Sequence, residues 1–300
     1  MRTRTWMAAL LATAAMAGVA SAQSNDSRAN LANERSAQYF RPDDFALNTQ
    51  PSDHDIVLME AHQPWYLVAH GETGLTDNAY LTAPKHSDGW VAGTLDGGFQ
   101  TTLAESVDVV AGGQVGMWRY AKHSDLDTDS LAAVFSVSKL FGDVRAGVEY
   151  VPSVYFGRGF DEQSLLAHDL ALFAQTTWAM GEKSQIYAYG RLSRRWSSPD
   201  DYENTRLSIT TGCQHECWPN VVLTTGITLA YAYYDNYFED QTDETRQDFL
   251  VNPFVSLVYQ MNDWSTVGVT LSYARNYSTI DKVDYESAAG SPYVELNWRF

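Results

Sequence analysis

The sequence predicts an all-β protein, a transmembrane antiparallel β-barrel of about twelve strands, from three observations. First, from about Pro64 to its last residue the 300-residue chain repeats one unit: a run alternating apolar with small or polar residues, a short turn, a second such run, and a long acidic loop. Short turns on one side and long loops on the other suit strands that cross a membrane and return. Second, Trp and Tyr residues gather where those strands would meet the two interfaces. Third, the non-apolar face is rich in Gly, Ser, Thr and charge, including Glu149, Arg191 and Arg299. A β-sandwich core would bury such groups at a large cost, whereas a wet lumen accommodates them.

The elements follow in chain order. Arg2 and Arg4 precede an apolar stretch from Trp6 to Val19, and Ala20-Ser21-Ala22 then forms a small-x-small site. Residues 1–22 therefore read as a secretory signal peptide, cleaved between Ala22 and Gln23. A single membrane anchor is the competing reading, against which the stretch is short and alanine-rich. Residues 23–62, with Pro42, Pro51 and many Asn, Asp and Ser residues, read as a polar periplasmic extension or as a plug of the lumen.

The barrel is expected over 63–300, with strands at 64–71, 89–104, 107–120, 131–140, 143–156, 166–179, 185–196, 204–213, 220–234, 248–260, 265–276 and 291–300. An even number puts the N- and C-termini of the barrel on the periplasmic side. The later strands alternate most plainly. Val221, Leu223, Thr225, Ile227, Leu229 and Tyr231 oppose Thr224, Gly226, Thr228 and Ala230, and Val267, Val269, Leu271 and Tyr273 oppose Thr266, Gly268, Thr270 and Ser272. In the final strand Val294, Leu296, Trp298 and Phe300 oppose Tyr293, Glu295, Asn297 and Arg299.

Short turns are expected at Glu105-Ser106, Phe141-Gly142-Asp143, Gly181-Glu182-Lys183, Cys213 to Pro219 and Met261-Asn262-Asp263. Long loops are expected near 73–88, 121–129, 158–165, 197–204, 235–247 and 277–290. Trp178, Trp218, Trp264 and Trp298 would form a belt at the turns, and Trp118, Tyr120, Trp196, Tyr233, Tyr273 and Tyr277 a second belt at the loops.

Charge narrows the partners. The chain carries 20 basic and 37 acidic residues, a net charge of −17, and losing Arg2 and Arg4 with the leader would make it more acidic still. No nucleic acid is expected as a partner, because a polyphosphate calls for a basic surface. The two cysteines, Cys213 and Cys217, lie in "GCQHECWPN"; in an exported chain the first reading is a disulfide pinning a tight turn. A metal on Cys213, His215 and Cys217 is the sharper alternative, one ligand short of a usual structural zinc site.

By strand parity the lumen carries Asp96, Asp108, Glu149, Asp169 and Glu295 together with Arg145, Arg191, Arg195, Arg206 and Arg299. Arg145 and Glu149 share one strand face, while Asp169, Arg195 and Arg206 fall on adjacent strands near the long-loop mouth. These charges would brace a narrow barrel by pairing. In the functional reading, Arg191, Arg195 and Arg206 form an eyelet that orients an anionic solute. Lumen glycines, including Gly98, Gly112, Gly116, Gly147, Gly226 and Gly268, either leave space for a channel or mark bends and close packing. The acidic loops would be solvated surface, a vestibule favouring cations, or weak calcium or magnesium sites beside lipopolysaccharide. "DLDTDS", Asp125 to Ser130, imitates the start of a calcium loop but has Ser130 at its sixth position and Ser136 at its twelfth. No cofactor is expected.

The terminal "YVELNWRF", with Val294, Leu296, Trp298 and Phe300 on one face, resembles the C-terminal aromatic signal of Gram-negative outer-membrane β-barrel proteins. The resemblance implies a bacterial outer-membrane location, with outer-membrane lipids, lipopolysaccharide and the barrel assembly machinery as partners. "YGRLSRRWSSPDDYENTR" and "YARNYSTIDKVDYES" are similar to the Tyr-x-Arg strands and Ser/Asp-rich loops of barrels from surface assembly systems, such as the surface-lipoprotein assembly modifiers. Those proteins usually carry helical repeats before the barrel, and none is evident here. His70, His123 and His168 lack the His-x-Ser-Asn-Gly context of the outer-membrane phospholipase, and no Ser nucleophile with a positioned base is signalled. The sequence thus points to a porin-like channel for small solutes and not to an enzyme. The alternatives are a closed-lumen barrel in surface assembly or adhesion, and a lipid-modifying enzyme.

Overall fold

A strand whose successive side chains face opposite ways can present one face to lipid and enclose the other. A computed structural model describes residues 64–82, 84–103, 107–238 and 245–300, and within it every expected run forms such a strand. They are β1 (Trp65–Thr76), β2 (Asp88–Leu103), β3 (Val107–Tyr120), β4 (Thr128–Phe141), β5 (Val144–Phe156), β6 (Gln163–Ala179), β7 (Ser184–Ser198), β8 (Asn204–Trp218), β9 (Val221–Phe238), β10 (Thr245–Asn262), β11 (Ser265–Ser278) and β12 (Tyr285–Arg299). Each pairs antiparallel with its sequence neighbours, and β12 returns to pair with β1, closing the barrel. Trp65 and Phe300 exchange both backbone hydrogen bonds at 3.1 Å, so the chain's last residue completes the seam. Closure satisfies every strand edge, which a bilayer requires.

The distribution of side chains is inverted relative to a soluble protein. Leu172 and Leu271 are 56% and 57% exposed on the outer face, while Arg195 and Glu149 inside are each 1% exposed. So extensive an exposed apolar surface around a charged interior belongs in lipid. Trp65, Trp178, Trp218 and Trp264 stand exposed near the short-turn rim, with Trp196, Tyr233, Tyr273 and Tyr277 toward the long-loop rim. Trp118 and Tyr120 leave the expected second belt: they turn inward and pack against buried Trp90 and Ala92 below the mouth.

Several strands run further than expected. Strand β1 continues through "GETGLT" to Thr76, β8 through both cysteines to Trp218, and β12 begins at Tyr285, its added residues laddered to β11 and β1. These extensions are Gly-rich or polar on both faces, so alternation in the sequence does not reveal them. The short connections hold their geometry with Gly142, Gly181 and Asn220 at positive φ. Glu105-Ser106, residues 1–22 with the cleavage site Ala22 and Gln23, and the extension 23–62 lie outside the described residues.

Candidate functional site: the lumen

Strand parity aims three arginine–carboxylate pairs into one half of the lumen. Near the short-turn rim, Arg145 on β5 meets Asp108 on β3 across the intervening strand, and Thr102 donates to Asp108 at 2.6 Å. Higher up, Arg191 on β7 reaches over β6 to Glu149 on β5 at 3.1 Å. Higher again, Arg195 holds Asp169 through two bonds, Nε at 3.0 Å and Nη2 at 3.2 Å. A fourth pair, Arg246 with Asp248 on β10, lies at the long-loop mouth with the guanidinium 4.2 Å above the Tyr234 ring. Carboxylates therefore meet Arg145, Arg191 and Arg195, and a paired guanidinium has little charge left with which to orient an anion. Arg206 lies on the lumen face of β8 opposite Ser193, and Arg299 donates to Gln100 at the short-turn rim.

A second cluster joins the first and last strands at mid-lumen. His70 on β1 pairs in register with Glu295 on β12, its Nδ1 3.7 Å from the carboxylate, while Nε2 lies 4.0 Å from Glu72. Asp96 on β2 receives the Gln114 amide at 2.6 Å. All four are buried. No arginine or lysine pairs with Asp96 or Glu295 among the described residues. Strand parity in the sequence places Asp96 and Glu295 in the lumen, but His70 and Glu72 carry no such plain signal. Their parity with Tyr66 and Val68 was the available signal, masked because those two neighbours are apolar.

Between Arg206 on β8 and the Arg246–Asp248 pair on one side and the short-turn rim on the other, the wall of β8–β11 is lined by hydroxyls and amides. Thr210 and Thr228 share a hydrogen bond of 2.8 Å, Thr270 donates to Ser256 at 3.1 Å and Thr266 to Gln260 at 3.0 Å. Here the lumen glycines prove to be seats for rings. A Cβ built on Gly226 would lie 2.6 Å from the Phe254 ring, and one on Gly147 2.6 Å from the Phe173 ring, with Tyr293 crossing Gly268 in the same way. At Gly147, Gly226 and Gly268 the glycine marks close packing and does not leave space. Several lumen polar atoms still have no protein partner among the described residues: both ends of the fully buried Asn252 amide, the Tyr187 and Thr224 hydroxyls, and Gln214 Nε2.

The cysteine expectation is corrected. Both thiols are free. Cys213 and Cys217 lie four residues apart on β8, so their Cα atoms are about 13 Å apart in extended chain, well beyond disulfide reach. The three aspartates of "DLDTDS" do not converge. Asp125 accepts from the Tyr80 hydroxyl, Asp127 from the backbone of Tyr120, and Asp129 from Gly159, Phe160 and Arg119. They staple loops together.

One Ser–His contact was invisible in sequence: Ser184 and His215, cross-strand neighbours on the outer face, share a hydrogen bond of 2.8 Å. No carboxylate among the described residues orients that imidazole, so the pair falls short of an activated nucleophile. His168 bonds Tyr150 at 2.8 Å. Of the C-terminal residues, Val294 and Phe300 are exposed on the outer face, and Trp298 stacks on Trp264 at 6.3 Å.

No family model and no curated protein matches the sequence. Solved structures do match. An outer-membrane channel from Pseudomonas putida F1 aligns with a TM-score of 0.53 and 12% identity over 83% of this chain and 100% of its own. The translocator domain of the autotransporter NalP from Neisseria meningitidis aligns with a TM-score of 0.48 and 12% identity, over 90% and 97%. An anion-selective porin from Comamonas acidovorans follows at 0.41 and 6%, over 79% and 99%. The first establishes a shared outer-membrane barrel fold.

Proposed function

We propose that the protein is an outer-membrane channel, porin-like in passing small polar solutes through its lumen, with the N- and C-termini of the barrel on the periplasmic side. The observation that carries this reading is the set of lumen polar atoms without protein partners, from Gln214 and Thr224 near the short-turn rim to Asn252 above mid-lumen. Buried polar groups are rarely left unbonded, so these atoms ask for water or a solute. Together with the paired charges they extend a polar column along the barrel. On this reading the partners are small solutes, lipopolysaccharide and other membrane lipids, and the assembly machinery that would read Val294, Leu296, Trp298 and Phe300.

Planar-bilayer recording of the refolded protein tests the proposal, with stable conductance steps as the expected result. Silence under all salts and voltages would overturn it in favour of the second reading, a closed barrel in surface assembly or adhesion. The rings seated on Gly147, Gly226 and Gly268 favour that second reading, because they narrow the lumen.

A further inference from the structure

The lumen is lined unevenly. Strands β1–β6 bring His70, Asp96, Asp108, Arg145, Glu149 and Asp169 to it, whereas β8–β11, from Ser208 to Gln214, Val222 to Ala230, Leu250 to Gln260 and Thr266 to Asn276, turn no charged side chain inward. In place of charge stands a row of hydroxyls and amides fixed by register: Gln214 lies opposite Thr224, Thr224 opposite Ser256, Ser256 opposite Thr270 and Thr270 opposite Ser291. One step toward the mouth, Gly212, Gly226 and Phe254 are in line, and the Tyr187 hydroxyl lies over both glycines. The next step aligns Thr210, Thr228 and Asn252.

Within these rows Gln214 Nε2, the Thr224 and Tyr187 hydroxyls and both ends of the Asn252 amide have no hydrogen-bond partner among the described residues, although each side chain is more than nine-tenths buried. Thr210, Gly212 and Gly226 between them are half-buried, so the rows border on open lumen. Hydroxyl and amide groups both donate and accept hydrogen bonds without net charge. Their complement is a solute that does the same many times over. An ion of either sign would give up hydration here without meeting a counter-charge on this wall, while the Tyr187 and Phe254 rings beside the polar rows offer apolar surface to the C–H side of a sugar.

We propose that the β8–β11 wall is a carbohydrate-binding surface and that the solutes drawn along it are uncharged sugars. The three rows span about 14 Å along the strands, enough for one or two sugar rings. The inference rests on the channel reading, to which it adds a solute class.

The test is block of the potassium chloride current by glucose and maltose, with the barrel refolded in an amine-oxide detergent so that no sugar headgroup is carried over. The single-channel current should fall more than the bulk conductivity of the same solution, and the fall should saturate with sugar concentration. Asn252→Leu combined with Thr224→Val should weaken the block several-fold, and because neither side chain has a protein hydrogen bond to lose, that barrel should still fold. Ser153→Ala, which removes a buried hydroxyl from the charged half, should leave the block unchanged. A current that follows bulk conductivity throughout, or a block that the double variant keeps or that Ser153→Ala weakens as much, overturns the inference while leaving the channel standing. If no current is seen, the channel reading fails, and saturation-transfer NMR between maltose and the detergent-folded barrel tests the wall alone. Transfer lost in the double variant would support the wall; no transfer, or transfer that the variant keeps, would overturn it.

Discussion

At the residue scale, the lumen arginines matter as members of pairs. Removing one partner of a buried ion pair leaves the other charged and uncompensated, at a cost of about 3–5 kcal/mol. Arg195→Met should therefore lower barrel stability by about that amount in urea unfolding, since both side chains are 1% exposed. Adding Asp169→Asn should recover most of the loss; a double variant as unstable as the single one would mean that Arg195 acts by packing and not by charge. At the mouth, the Lys85 ammonium lies 2.8 Å from Glu286 and 2.9 Å from Asp77. Those carboxylates, Glu286 first, hold the Lys85 pKa above the usual lysine value. The clasp is thus complete below that usual value and is lost as pH rises through the elevated one. Lys85→Met should make the 77–87 loop more open to limited proteolysis at pH 8, and it should erase the difference between pH 8 and pH 11 expected of the wild type.

At the element scale, neighbouring strands are fitted together through glycine and aromatic residues. Gly226 on β9 lies beneath Phe254 of β10, with the Thr211 carbonyl of β8 also 2.9 Å from where a Cβ would be. Gly226→Val should therefore cost about 1–3 kcal/mol, visible as a lower unfolding midpoint. Phe254→Ala removes the ring from the lumen without crowding the strands and should raise single-channel conductance; an unchanged step size would show that the constriction lies elsewhere. These seats were only half legible. The glycines stand on the lumen face by parity, but whether a glycine marks space or a seat depends on which ring the adjacent strand delivers, and that is decided by register.

At the scale of the whole molecule, the side chains of the described strands pack closely into the lumen: Val134, Thr224 and Asn252 are all 0% exposed. Deleting residues 23–62 separates the two readings of that segment in the planar bilayer: a large increase in conductance is expected of a plug, and an unchanged conductance of a periplasmic extension. The interior offers paired arginines, a hydroxyl and amide wall, and a carboxylate cluster, which together give the barrel a narrow polar lining.

The sequence by itself determined the barrel and the two-faced strands, because a period of two is local and survives in any register. It put Asp96, Asp108, Arg145, Glu149, Asp169, Arg191, Arg195 and Glu295 on the inner face, and all lie there. The ends of β1, β8 and β12 escaped it, since glycine and polar residues on both faces erase the contrast on which alternation depends; the same blindness turned the strand residues Cys213 and Cys217 into a supposed turn. What only the tertiary structure decided is partnership. Arg145 finds Asp108 by passing over a strand, Ser184 finds His215 across a hairpin, and His70 meets Glu295 because the chain's last strand closes on its first. Each of these contacts is fixed by closure and stagger, which are properties of the whole sheet and have no local period to read.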